Sequence, residues 1–175
     1  MKFSVHGPFR LPFHNRLINS AASEKKNFWE VVDSEESNLS EACGCYIFVI
    51  RKNSKALPWY IGLTTKRSFK KEVLGLHQIN HYNQAIGNAR RGWPEVYLLA
   101  KRTPGDRFAR PSARAQGDIE FLETFMFGVG LNANGKLRNS RNTRFLRAVT
   151  VPGIINTPRR APTTSERALR KDMGL

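Results

Sequence analysis

Gly44-Cys45-Tyr46-Ile47-Phe48-Val49-Ile50, followed after a polar stretch by Trp59-Tyr60-Ile61-Gly62, decides the fold. The first run is β-branched and aromatic and the second ends on an aromatic pair before Gly62, so two strands joined by a hairpin loop are expected. Beyond Gly62 the period changes. Phe69, Val73 and Leu76 fall at i, i+4 and i+7 with Lys70, Lys71 and Glu72 among them, which predicts an amphipathic helix beginning near Ser68, weakened by Gly75. Gly92 and Pro94 interrupt the chain before a third apolar run, Val96-Tyr97-Leu98-Leu99-Ala100, and 101–117 then reads as a basic loop. Ile119, Leu122, Met126 and Val129 recur at three and four residues, predicting a second helix from about Asp118 to Gly130. The expected fold class is α+β, with a small, mainly antiparallel central sheet built from the Tyr46, Tyr60 and Val96 strands and flanked by the Phe69 and Leu122 helices.

Around this centre, 175 residues suffice for one core and are short for two. A single domain over 1–175 is expected, with a packed lead-in at 1–40, a core at 41–158, a basic C-terminal extension at 159–175 and no internal repeat. Lys plus Arg number 29 against 14 Asp plus Glu, a net charge of +15, so the chain should seek polyanions. Hydrophobic residues at 40% lay that charge over a real core instead of a disordered tail. No run approaches the roughly 18 apolar residues of a membrane span, and the polar start of the chain lacks a signal-peptide core, so a cytoplasmic protein is expected. Cys43 and Cys45 are expected on opposite faces of their strand, as packing residues without a mutual disulfide.

Gly44-Cys45-Tyr46 opening one strand and Tyr60-Ile61-Gly62 closing the next resemble the two signature triplets of the GIY-YIG nuclease superfamily. Cys45 stands for the usual Ile, and the thirteen residues between Tyr46 and Tyr60 slightly exceed the common spacing. Glu123, followed by Asn134, Leu137 and Asn139, resembles the family's metal-binding Glu and later Asn. Phe69-Lys70-Lys71-Glu72 with His77 and Tyr82, Gly7-Pro8-Phe9 and Pro152-Gly153-Ile154 resemble a bacterial subgroup, which extends the likeness over nearly the whole chain. Glu123 is also unusual by its own phase, since it falls between Ile119 and Phe127 on the apolar flank of its helix. A carboxylate there wants a partner or a metal. Taken singly, Tyr46 and Tyr60 are ordinary sheet aromatics, Glu123 a helix-surface acid and Asn139 a turn cap; the reading rests on their joint occurrence.

The resemblance implies that Glu123 holds one Mg²⁺ or Mn²⁺, that Tyr46 helps deprotonate the attacking water, that Tyr60 bonds in the same pocket and that Asn139 forms its far wall. The family's phosphate-clamping Arg on the helix after the second triplet is missing. Counting from Gly62 puts Lys70 in its place, and aligning by Phe69 and Val73 puts Glu72 there. Lys70 and His77 are preferred, Arg67 preceding the helix. The implied activity is metal-dependent hydrolysis of double-stranded DNA without an organic cofactor, the alternative being a catalytically degenerate domain that binds nucleic acid. Lys136, Arg138, Arg141, Arg144 and Arg147 put five cations in twelve residues without an acid. Of these Arg138, Arg141 and Arg144, with Lys66, Arg67, Lys71, Arg90 and Arg91, are the expected phosphate contacts. His77 and His81, four apart, could instead ligate zinc with Cys43 or Cys45.

Overall fold

The structure is a computed structural model, and it describes every residue except 139–143, 153, 156, 158 and 159, with backbone alone for 144 and 145. The fold is α+β. Its elements are β1 (Lys2–Arg10), β2 (Phe13–His14), β3 (Leu17–Ile18), α1 (Ala22–Glu35), β4 (Gly44–Lys52), β5 (Lys55–Thr64), α2 (Phe69–Glu72), α3 (Leu76–Ala89), β6 (Trp93–Arg102), α4 (Gly117–Ala133), α5 (Arg144–Ala148) and α6 (Thr164–Asp172). Four strands form one antiparallel sheet in the order β1-β6-β4-β5.

Alternation along β4 builds two cores. Tyr46, Phe48 and Ile50 join Phe28 and Trp29 of α1, Phe69 of α2 and Ile79 and Tyr82 of α3. Cys45, with Cys43 just before the strand, joins Leu99 and Ile119 against α4. A central strand buried on both sides reads as an unbroken apolar run, which is why 44–50 carries no polar alternation. Each Phe or Leu so enclosed contributes roughly 1.5–3 kcal/mol from burial.

Four expectations are corrected. The first forty residues are part of the core, because β1 is the fourth strand of the sheet and pairs with β6 from Lys2 to Arg10. The helix expected from Ser68 is two: α2 is a single turn, and α3 starts afresh with Gly75 as its N-cap, leaving Leu76 exposed. On α4 Ile119 is buried but Val129 is half exposed, since the helix faces the sheet over a narrow stripe. Cys43 and Cys45 lie on the same side of the sheet, as residues two apart on a strand must, and remain free thiols. Among the described residues no helix is long and apolar enough to cross a membrane.

Sheet edge β5 is covered by the chain that leaves α4. Asn134 Nδ2 donates to the Pro58 carbonyl at 2.8 Å, and the Arg138 backbone N–H donates to the Trp59 carbonyl at 2.9 Å.

Candidate active site

Register brings the two triplets side by side: Tyr46 pairs with Gly62, and Phe48 with Tyr60. Glycine is demanded at position 62, where a Cβ would stand 2.4 Å from the Tyr46 hydroxyl oxygen and displace that ring. It is demanded at 44 as well, where a Cβ would meet the Leu99 carbonyl oxygen at 2.1 Å and push β6 away. The triplets are thus a packing solution that seats one tyrosine beside the other. Their ring centroids are 6.1 Å apart, tilted by 32°.

Helix α3 closes the aromatic cluster. His81 stacks on Tyr60 at 5.2 Å, and Tyr82 meets Tyr60 edge-on at 6.0 Å while stacking on Phe48 at 4.2 Å. His77, one turn before His81, brings its Nε2 to 3.1 Å from the His81 Nε2. Gln78, buried on the same helix, donates to Glu72 Oε1 at 2.5 Å.

Burial dominates the electrostatics. It pushes the Tyr46 hydroxyl pKa well up, a shift deepened by Tyr82, Tyr60 and Glu72 and partly opposed by the nearby Gln78 amide. Tyr60 is also raised, by burial against a hydrogen bond with Tyr46, and then by the charges of Glu123 and Glu72. Both are neutral phenols at pH 7. Burial lowers the His81 pKa, as do His77 and the positive charge of Arg138, so this ring is held neutral.

Glu123 is half-buried on α4, and its charge reaches both Tyr60 and, after the larger effect of burial, the Cys45 thiol. A single carboxylate is a hard oxygen donor of the kind that suits Mg²⁺ or Mn²⁺, which keeps waters and takes other ligands from substrate phosphates. Among the described residues no group of three or more His, Cys, Asp or Glu side chains gathers, and an ion held in that manner needs none.

The structure therefore brings Tyr46, Tyr60, His77 and His81 together on the α3 face of the sheet, while Glu123 stands on α4 and acts on Tyr60 through its charge. Lys70 is not part of this group. Buried Phe69 and Val73 fix the phase of α2 so that Lys70 and Lys71 are exposed, and Glu72 is the α2 residue whose charge acts on Tyr46, Tyr60 and Tyr82. Lys66 and Arg67 are exposed in the turn after β5, Arg67 Nη1 standing 4.0 Å from Glu72. Arg90 and Arg91 are exposed just past the end of α3, roughly 20 Å along its axis from His77. Asn139 and Arg141 fall outside the described residues, as does the Arg144 side chain. The zinc arrangement is not formed, because Cys43 and Cys45 lie across the sheet from the histidines, donating to the carbonyls of Ala109 and Ile119 at 3.4 and 3.3 Å.

Arg138 has a larger place than its expected role as one cation in a run. Its guanidinium donates to Gln84 of α3, its charge acts on His81, and its Nε is buried without a partner among the described residues. The Tyr82 hydroxyl and His81 Nδ1 are likewise buried and have no partner among the described residues. In sequence, His81 and Gln84 share the His77 face of α3 at i+4 and i+7, which was the available signal; nothing local tied Arg138 to that face. The chain matches no protein-family model, no curated protein and no solved structure.

Proposed function

We propose that this chain is a Mg²⁺- or Mn²⁺-dependent endonuclease of double-stranded DNA, of the GIY-YIG kind, acting around Tyr46, Tyr60, the His77–His81 pair and Arg138, with Glu123 of α4 as the metal-holding carboxylate. The observation that carries the reading is the tyrosine pair on adjacent strands with a half-buried carboxylate acting on one of its hydroxyls. The charge of +15 supports a polyanionic substrate.

Glu123 would hold the ion. When bound, the ion neutralises charge developing on the scissile phosphate and the leaving oxygen. Arg138 takes the part that the family gives to an Arg on the helix after the second triplet. Its planar guanidinium, anchored by Gln84 on one side, has donors left for a phosphate oxygen. Tyr60, partly exposed and held as a neutral phenol, serves as a hydrogen-bond donor to a phosphate oxygen or the attacking water, and Tyr46, buried behind it, bonds to and positions the Tyr60 hydroxyl. The proton-accepting role expected of Tyr46 passes to the histidine pair, whose His81 ring is neutral and whose His77 ring is exposed.

One observation favours the degenerate binding module instead: the α2 charge that acts on the tyrosines is that of an acid, Glu72, and not of a cation. Supercoiled plasmid incubated at low salt with Mg²⁺, Mn²⁺ or EDTA, beside the Glu123→Ala variant, separates the two. Nicking that requires metal and falls about 100- to 1000-fold in the variant is expected. A salt-sensitive band shift without cleavage in either metal makes the chain a binding module.

A further inference from the structure

The His77–His81 pair is a complete geometric unit apart from the chemistry proposed for it. The two residues sit one turn apart on the 14-residue helix α3, their rings nearly perpendicular at 88° with centroids 4.5 Å apart. Their Nε2 atoms are 3.1 Å from each other. Stacking on Tyr60 fixes His81, whereas His77 is exposed, so the pair is anchored at one end and open to solvent at the other. Imidazole nitrogens bind Zn²⁺ at about 2.0–2.1 Å, and two such bonds spanning the 3.1 Å separation enclose about 98° at the ion. That angle lies between the square-planar and tetrahedral values. With the proton of the donor ring moved to its Nδ1, both Nε2 lone pairs face the same point and can bind one cation at once.

We propose that His77 and His81 form an open two-imidazole site for a borderline divalent transition-metal ion, Cu²⁺ foremost, with water in the remaining positions. Nitrogen donors without a carboxylate at the pair select Cu²⁺, Ni²⁺ and Zn²⁺ over Mg²⁺, with Cu²⁺ the tightest. Among the described residues the buried Nδ1 of His81 has no acceptor to orient the ring, and the nearby Arg138 charge repels cations, so the site is weaker than a structural zinc centre. The cysteines do not compete, being buried on the other side of the sheet. An ion seated here occupies the nitrogens of the proposed proton acceptor, and would therefore inhibit cleavage. The site itself does not depend on the chain being a nuclease.

The test is titration of the untagged full chain with Cu²⁺ in excess Mg²⁺, by calorimetry and by electron paramagnetic resonance. The chain has four histidines, so each is replaced in turn. The expected result is one Cu²⁺ per chain, nitrogen splitting from two imidazoles, and no displacement by Mg²⁺. His77→Ala and His81→Ala should each weaken binding by at least the roughly tenfold that losing even an outer-shell partner costs, while His6→Ala and His14→Ala change nothing. Exposed His77 guards against a folding artefact at His81. No saturable binding, a site that survives His77→Ala, or one lost to His6→Ala or His14→Ala overturns the proposal. None of these readouts uses DNA, so a chain that binds Cu²⁺ but never cuts plasmid sinks the nuclease reading alone.

Discussion

The two faces of the sheet use the same strand to opposite ends. Toward α4, Cys43 and Cys45 give their thiol protons to the carbonyls of Ala109 and Ile119 and lie among Leu99 and Ile119, so polar capacity is met and the layer is closed. Toward α2 and α3, the Tyr82 hydroxyl, His81 Nδ1, Ser68 Oγ and Arg138 Nε are buried without partners among the described residues. An unmet buried polar group costs on the order of 1–3 kcal/mol, so the tyrosine face carries a burden of instability that the cysteine face does not. A fold tolerates such groups where something other than stability is being served.

That contrast can be broken from either side. The largest expected effect is on the cysteine face. Ile119→Ala leaves a cavity under α4 and should cost about 2–5 kcal/mol in a denaturant titration, and a loss below about 1 kcal/mol would mean this layer is not the tightly packed one. On the tyrosine face, Arg138→Ala should lower metal-dependent plasmid cleavage by about 100-fold, roughly 2.7 kcal/mol, while leaving the unfolding midpoint nearly unchanged, and Arg138→Lys should recover little of it. An equal fall in stability would make Arg138 a structural residue. Smaller and of opposite sign, Tyr82→Phe removes a hydroxyl without a partner and should raise stability by about 1 kcal/mol in the same titration; destabilisation would show that the hydroxyl is satisfied in solution.

The smallest effect is the pH dependence carried by His81. Its pKa is held below the ordinary value by burial, His77 and Arg138, so as pH falls the unfolded chain takes up the proton first, near pH 6.5. Stability from this group therefore declines from about pH 6.5 down to the folded-state pKa and is constant below it. Thermal denaturation of wild type against His81→Gln at pH 7.5 and 5.5 should show the wild type losing more, and parallel losses would place His81 in an ordinary aqueous setting.

Which parts of this were readable in advance follows from how local their causes are. The β4–β5 hairpin and α4 announce themselves through runs of apolar residues, whereas the pairing of Gly62 with Tyr46 appears only in the register of the strands. β1 did not, because Gly7 and Pro8 interrupt it: proline is tolerated only at an edge or a bulge, and β1 is an edge strand with a break in register between His6 and Phe9. The choice between Lys70 and Glu72 turned on the phase of one helical turn, too short for a period to show. Buried Phe69 and Val73 set that phase so that Lys70 is exposed and the charge of Glu72 acts on the tyrosines. Arg138 reaches α3 across 54 positions of sequence, a contact no periodicity encodes.

The segment along the β5 edge has a consequence beyond holding Arg138. Its bonds to the carbonyls of Pro58 and Trp59 occupy acceptors that would otherwise offer a template to a strand from another molecule. Loosening it, by Asn134→Ala for example, would withdraw the guanidinium and uncover a sticky border in one event. Loss of activity and onset of self-association would then appear together, so that a damaged molecule betrays itself by aggregating.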